Sequence, residues 1–99
     1  MRGNSVNILK RALNKWGLRA QLEMLQEEAT ELALATRSVI RGKVDSVEEL
    51  AGEIADVEIM IEQMKIAFED QSLRKQVGYI KRAKLRRLKG RLERGVFNG

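Results

Sequence analysis

Three residue types with distinctive chemistry are missing from this 99-residue chain: cysteine, histidine and proline. Without cysteine there is no disulfide, no thiol nucleophile and no zinc-thiolate site. Without histidine the commonest general base and the usual ligand for zinc or copper are gone. A resident metal must therefore be held by oxygen, and acid–base work falls to carboxylates, lysine, tyrosine or water. Without proline no kink or rigid turn is written into the chain. No apolar run approaches the roughly 18 residues needed to cross a membrane, and the N-terminus has no apolar signal core. These absences lead to the expectation of a cytoplasmic protein with no membrane partner. A glycine-rich phosphate loop is also missing, which excludes a P-loop enzyme.

What is present is mostly helix-forming and charged, with 19 Lys and Arg against 14 Asp and Glu. The net charge of +5 conceals a polarised chain. Residues 1–19 carry five bases and no acid, residues 20–70 carry 13 acids against four bases, and residues 71–99 carry ten bases against one acid. An acidic middle followed by a basic end suits an internal metal site beside an anion-binding helix, or a nucleic-acid-binding tail.

Apolar periodicity predicts a single all-α domain over residues 1–99, with helices at about 5–16, 18–41, 46–69 and 72–94. Residues 1–4 and the tail from Gly95 are expected to be loosely held. Ser5 is the expected N-cap of the first helix, whose stripe is Val6, Leu9, Leu13 and Trp16. Trp16 is read as a core anchor, or alternatively as a ring bordering a pocket. The second helix has an expected buried stripe of Leu18, Leu22, Leu25, Ala29, Leu32, Thr36 and Val39, flanked by Gln21, Met24, Glu28, Glu31 and Ala35. Gln21 reads as a boundary residue or a ligand contact. Gly42 suits a left-handed C-terminal position, and Ser46-Val47-Glu48-Glu49 reads as a capping box. In the third helix Leu50, Ile54, Val57, Ile61, Met64 and Phe68 form the expected stripe, flanked by Glu53, Asp56, Met60 and Gln63. The short connection predicts an antiparallel hairpin. Ser72 or Asp70 caps the fourth helix, where Lys84 interrupts an otherwise apolar side. Ninety-nine residues are few for a closed core, so self-association is expected to complete it.

Glu27-Glu28-Ala29-Thr30-Glu31 and Glu53-Ile54-Ala55-Asp56 each place carboxylates three residues apart, on one side of a helix. Glu28 and Glu31 face inward, and Glu27 lies further out. Across an antiparallel hairpin the two pairs face one another. Converging carboxylates repel unless a hard divalent cation sits among them, and oxygen donors suit Mg²⁺ or Mn²⁺. The competing reading is that these are ordinary solvated acids.

Trp16-Gly17, Gln21, Glu27-Glu28-Ala29-Thr30-Glu31 and Glu53-Ile54-Ala55-Asp56-Val57, together with Lys84-Leu85-Arg86-Arg87-Leu88, resemble the MazG-like, all-α nucleoside triphosphate pyrophosphohydrolase superfamily. The likeness follows an EExxE, spacer, ExxD pattern and covers about residues 13–92. It implies a four-helix MazG-like bundle assembled as a homodimer or homotetramer. The implied reaction is hydrolysis of a (d)NTP by water to (d)NMP and pyrophosphate. Mg²⁺, or Mn²⁺, would be held by Glu28, Glu31, Glu53 and Asp56, with Glu27 orienting or deprotonating the attacking water. Lys81, Lys84 and Arg87 match phosphate-binding positions, and Trp16 and Gln21 match the region bordering the base. The single-domain length departs from the two-domain bacterial enzyme, so substrate and biological role do not transfer. Two other readings compete: a non-catalytic regulatory member of the family, and a nucleic-acid-binding protein using the basic fourth helix. Against the latter, only Tyr79 and Phe97 interleave there as aromatics.

Overall fold

The computed structural model describes residues 3–95. Among them are four α-helices, α1 (Gly3–Trp16), α2 (Leu18–Ile40), α3 (Ser46–Ala67) and α4 (Leu73–Glu93), and a 3₁₀ turn at Glu69–Gln71. The fold is all-α. Helix ends fall within two residues of those expected. The first helix starts at Gly3, so Gly3 and Asn4 are helical rather than loosely held and Ser5 lies inside the helix instead of capping it. No helix among the described residues is long and apolar enough to cross a membrane. Contacts divide the chain into two compact units, Met1–Ala67 and Phe68–Gly99. Phe97 and most of the expected loose tail lie outside the described residues.

The first unit is built on the α2–α3 pair. The connection is local chemistry. Gly42 adopts φ 68, its N–H donates to the Val39 carbonyl at 2.9 Å, and the Lys43 N–H donates to the Ser38 carbonyl at 3.1 Å. These two bonds form a Schellman motif, which satisfies carbonyls that the helix end leaves free. Asp45 then takes the cap position of α3, one residue before the expected Ser46. Its φ is 61, and its carbonyl accepts the Glu49 N–H at 3.2 Å. Ser46 is instead the first helical residue and is buried. At the other end of α2, Gly17 separates two helices without a loop. Its φ 86 and ψ 159 lie in a region open essentially to glycine alone. Ser72 caps α4 as expected by position, but in left-handed conformation and without a side-chain cap bond.

The buried line on α2 runs through Gln21, Leu25, Glu28, Leu32, Ala35 and Val39, and that on α3 through Ser46, Leu50, Glu53, Val57, Met60 and Met64. Both lines step by four and three residues alternately, the spacing of a knobs-into-holes seam. This corrects the expected stripes. At 100° per residue the seam of each helix is rolled about 50° toward its acidic flank. Leu18 and Leu22, expected inside, are 40% exposed, and Ile54 and Ile61 are 41% exposed. Ala29 and Thr36 are exposed as well. Two helices in contact can bury only the line along which they touch, so each apolar arc, wider than that line, is left partly open. The remaining arcs share a face. Measured along each helix from its own N-terminus, Leu18, Leu22 and Ala29, like Ile54 and Ile61, lie roughly 60–100° round from the seam in the same sense. In an antiparallel pair equal rotations lead to the same side. Glu31 and Asp56 rotate the opposite way, as does Gln63.

α1 joins on that opposite side. Leu9 is buried, and its carbonyl accepts a 3.2 Å bond from Nε2 of Gln63. Gln63, at 1% exposure, is the largest fully enclosed side chain among the described residues, and its Oε1 has no partner. Trp16 is not a core anchor: it is 60% exposed, with Lys15 Nζ 5.8 Å from the ring centre. Trp16 follows Leu9 by about two turns on nearly the same side of α1, and at that end of the helix the stripe is left uncovered.

Because the Gly42 position is left-handed and nothing lies within 4 Å of an added Cβ, Gly42→Ala tests conformation alone. We expect a loss of about 1–2 kcal/mol, read as a fall in Tm of roughly 4–8 °C per kcal/mol, with helix content by circular dichroism unchanged below the transition.

Candidate metal centre

Glu28 projects from the middle of α2 and Glu53 from the second turn of α3, each on the seam position of its helix. A residue at a seam position is directed at the partner helix whatever its polarity, so the packing that buries Leu25 and Val57 also brings these carboxylates together. Asp56 follows Glu53 by three residues and stands on the edge of the same face. One carboxylate oxygen from each of Glu28, Glu53 and Asp56 lies within 4.8 Å of the other two. With Glu28 beside Glu53 as the register, seven residues along places Ala35 opposite Ser46. Two small side chains thus face each other where the hairpin closes.

The electrostatics are those of a site short of positive charge. Glu28 and Glu53 are half-buried and Asp56 is exposed. Oε2 of Glu53 is shut off from solvent and has no hydrogen-bond partner. Buried carboxylate oxygens without a donor are uncommon and need a cause. Both glutamates hold their protons above the ordinary 4.5. For Glu28 the largest cause is burial, followed by the charge of Asp56, a carboxyl–carboxyl hydrogen bond with Asp56, and the charges of Glu53 and Glu27. For Glu53 burial again leads, followed by the charges of Asp56, Glu31 and Glu49.

Of the acids expected here, Glu28, Glu53 and Asp56 are brought together. Glu31 is exposed and outside that close group, but its charge reaches Glu53. Glu27 is exposed and acts on Glu28 in the same way. Glu49, expected only as part of the capping box, also adds to the field at Glu53. Gln21 is buried on the seam at 7% exposure, so it is no boundary residue. Trp16 borders a groove of about 600 Å³ lined also by Ile8, Arg11, Ala12, Asn14 and Lys15. Lys81, Lys84 and Arg87 are exposed on α4, in the second unit. Gln63 was legible as a neighbour of Asp56 on the wheel, but periodicity carries no signal for its complete burial.

Three carboxylates and no nitrogen or sulfur donor make a hard-cation site. Two oxygens on one ion at 2.0–2.6 Å are at most about 5 Å apart, so the spacing of the three acids fits a common divalent ion. Such an ion would offset the mutual repulsion that raises the two glutamates and would give the enclosed Oε2 of Glu53 a partner.

The sign of the pH dependence follows from the raised values. Below 4.5 both glutamates are protonated in folded and unfolded chains, and neither costs stability. As pH rises from there through the raised folded values, the unfolded chain ionises first and the folded state loses ground. Thermal melts without metal should therefore show Tm falling across this window, and Glu28→Gln/Glu53→Gln should flatten that portion of the profile. Adding Mg²⁺ at neutral pH should raise the Tm of the parent protein and leave the double variant unmoved.

Compared with known proteins, the chain matches no family model, no curated protein and no solved structure.

Proposed function

We propose that the chain is a Mg²⁺-dependent nucleoside triphosphate pyrophosphohydrolase of the MazG-like type, converting a (d)NTP and water to (d)NMP and pyrophosphate. The observation that carries this reading is the convergence of Glu28, Glu53 and Asp56 across the α2–α3 seam, with one Glu53 oxygen enclosed and unpartnered. Ordinary solvated acids have no reason to be packed against each other at a seam. Glu31 completes the proposed ligand set at the flank. A divalent ion bound there, Mg²⁺ or Mn²⁺, would supply charge to the phosphates and lower the pKa of a water. Glu27, exposed beside Glu28 in the chain, is the proposed residue to orient that water or take its proton. Lys81, Lys84 and Arg87 belong to the proposal through the resemblance alone, as phosphate-binding positions on α4. Trp16 presents an open ring on which a base can stack. Gln21 belongs to the base region through the resemblance alone, since its side chain is enclosed in the seam. A cytoplasmic setting accords with a nucleotide substrate.

The same reading supplies a partner for the open face of the hairpin. Leu18, Leu22, Ile54 and Ile61 form an apolar surface on the side away from α1, and a second copy presenting the same surface would close a four-helix core. A homodimer, or a homotetramer of two such pairs, is the proposed assembly.

The deciding assay is a panel of ribo- and deoxynucleoside triphosphates with Mg²⁺ or Mn²⁺, scored for pyrophosphate. Release from at least one of them, reduced 100-fold or more by Glu53→Gln, is expected. A panel without release, while Mg²⁺ still raises Tm, would instead leave a non-catalytic member of the family. For the assembly, light scattering should give a mass of at least two chains, and Leu22→Glu/Ile61→Glu should return it to one. A monomeric parent protein would sink the proposed dimer without touching the metal site.

A further inference from the structure

Seven of the nine cations of α4, all but Arg74 and Arg91, fall into two groups on opposite sides of the helix. At 100° per residue, Lys81, Lys84 and Arg87 gather on one side, and Lys75, Arg82, Arg86 and Lys89 gather roughly 170° away. The first strip is the proposed triphosphate contact. The second has no part in that chemistry. All four of its members are exposed. Their spacings of seven, four and three residues align them along about 21 Å of helix. Tyr79, 66% exposed, stands beside the strip at a shallow depression of about 330 Å³ lined by Lys75, Gln76 and Ile80. Gln76 is committed to the preceding turn, its Nε2 donating to the Gln71 carbonyl at 2.7 Å. That leaves Lys75, the tyrosine ring and the partly exposed Ile80 facing outward there.

The helix offers this strip almost no counter-charge. Glu93 is the one carboxylate of α4, and its 3.7 Å pair with Lys89 is open to solvent, where such pairs contribute little. Arg82 and Arg86 stand four residues apart and Arg86 and Lys89 three, so like charges are neighbours along the strip and repel. A line of repelling cations is relieved by a line of anions. We propose that Lys75, Arg82, Arg86 and Lys89, flanked by Tyr79, form a docking strip for the sugar–phosphate backbone of a nucleic acid, on the side of α4 opposite the triphosphate contacts.

Two features favour nucleic acid over an anionic membrane. An interfacial helix needs its apolar residues segregated on one face, whereas Lys84 and Lys81 break the side formed by Val77, Ile80 and Leu88. The strip is also matched in length to a phosphate backbone: about 21 Å spans roughly six phosphates of one strand of a duplex. The scarcity of aromatics does not weigh against it, because backbone binding rests on charge and counterion release. Tyr79 would add stacking only where bases are unpaired.

The test uses the full chain and a labelled mixed-sequence DNA of about 20 nucleotides, as duplex and as single strand, read by fluorescence anisotropy over a salt series. Four phosphate contacts give a slope of log Kobs on log salt of about −3.6 for duplex and −2.8 for single strand. Arg82→Gln/Arg86→Gln/Lys89→Gln should cut the duplex slope by roughly 2.7 and weaken binding on the order of tenfold per charge removed near 50 mM salt. Its far-UV helix signal should be retained, since the substitutions remove repulsion, and its pyrophosphate release should equal that of the parent. Tyr79→Ala should weaken the single strand and spare the duplex. The proposal is overturned by absence of binding near 50 mM salt, or by an unchanged slope in the triple variant. It is equally overturned if phosphatidylserine vesicles, and not DNA, are bound in a strip-dependent way. Because pyrophosphate release is measured on the same preparations, loss of that activity and loss of DNA binding are read separately.

Discussion

The α2–α3 seam is the interaction on which the first unit depends, and it carries two loads that oppose one another. Leu25, Leu32, Val39, Leu50, Val57, Met60 and Met64 supply the apolar contact that holds the hairpin closed. Glu28 and Glu53 occupy positions in the same two lines, where burial and neighbouring acids push both toward the protonated form. Local packing rules broken at one spot in an otherwise consistent element are the usual mark of a functional position. Moving either glutamate by one residue would release it to solvent. Their place on the seam is therefore what makes them a possible cation site.

The hairpin has two unlike faces, and their contents follow from the same geometry. On one, Asp56 and Gln63 lie in sequence along α3, and Gln63 ties down α1 through the Leu9 carbonyl. This sets α1 and the acid cluster on a common side. On the other, Leu18, Leu22, Ile54 and Ile61 stand half open. The residues that a wheel assigns most naturally to a core are those that still lack a complete cover in one chain. That is why the proposed second copy and the proposed metal site are linked: the roll that directs the glutamates inward turns the leucines outward.

α4 presents a different problem, a large excess of charge of one sign. Ten bases lie in residues 71–99 against one acid, and they are distributed around the helix rather than along one side. Solvation alone can account for scattered cations. It gives no account of four cations aligned along one side, Lys75, Arg82, Arg86 and Lys89, opposite Lys81, Lys84 and Arg87 and adjoining an exposed tyrosine. Assigning the strips to a small triphosphate and to a polymeric phosphate lets one helix deal with two anions through the same chemistry.

How much of this was legible beforehand depends on what each feature rests upon. Helix identities, the Gly17 and Gly42 boundaries and the antiparallel hairpin were readable because they rest on periodicity, missing Cβ atoms and chain length, all local properties. The acid pairs were readable as neighbours on their helices for the same reason. The buried line was misplaced by about half a quadrant, since hydrophobicity locates the centre of an apolar arc whereas contact is decided by the partner's shape. For that reason Gln21 proved buried, whereas Trp16 keeps to the side of Leu9 and is exposed because nothing covers that end of α1. The sequence by itself determined which residues could bind a hard cation, because without histidine and cysteine only carboxylates remained. Only the tertiary structure decided that Glu28, Glu53 and Asp56 are the three that meet, with Glu31 at their edge, because the register and roll of two packed helices are properties of the pair and of neither helix alone.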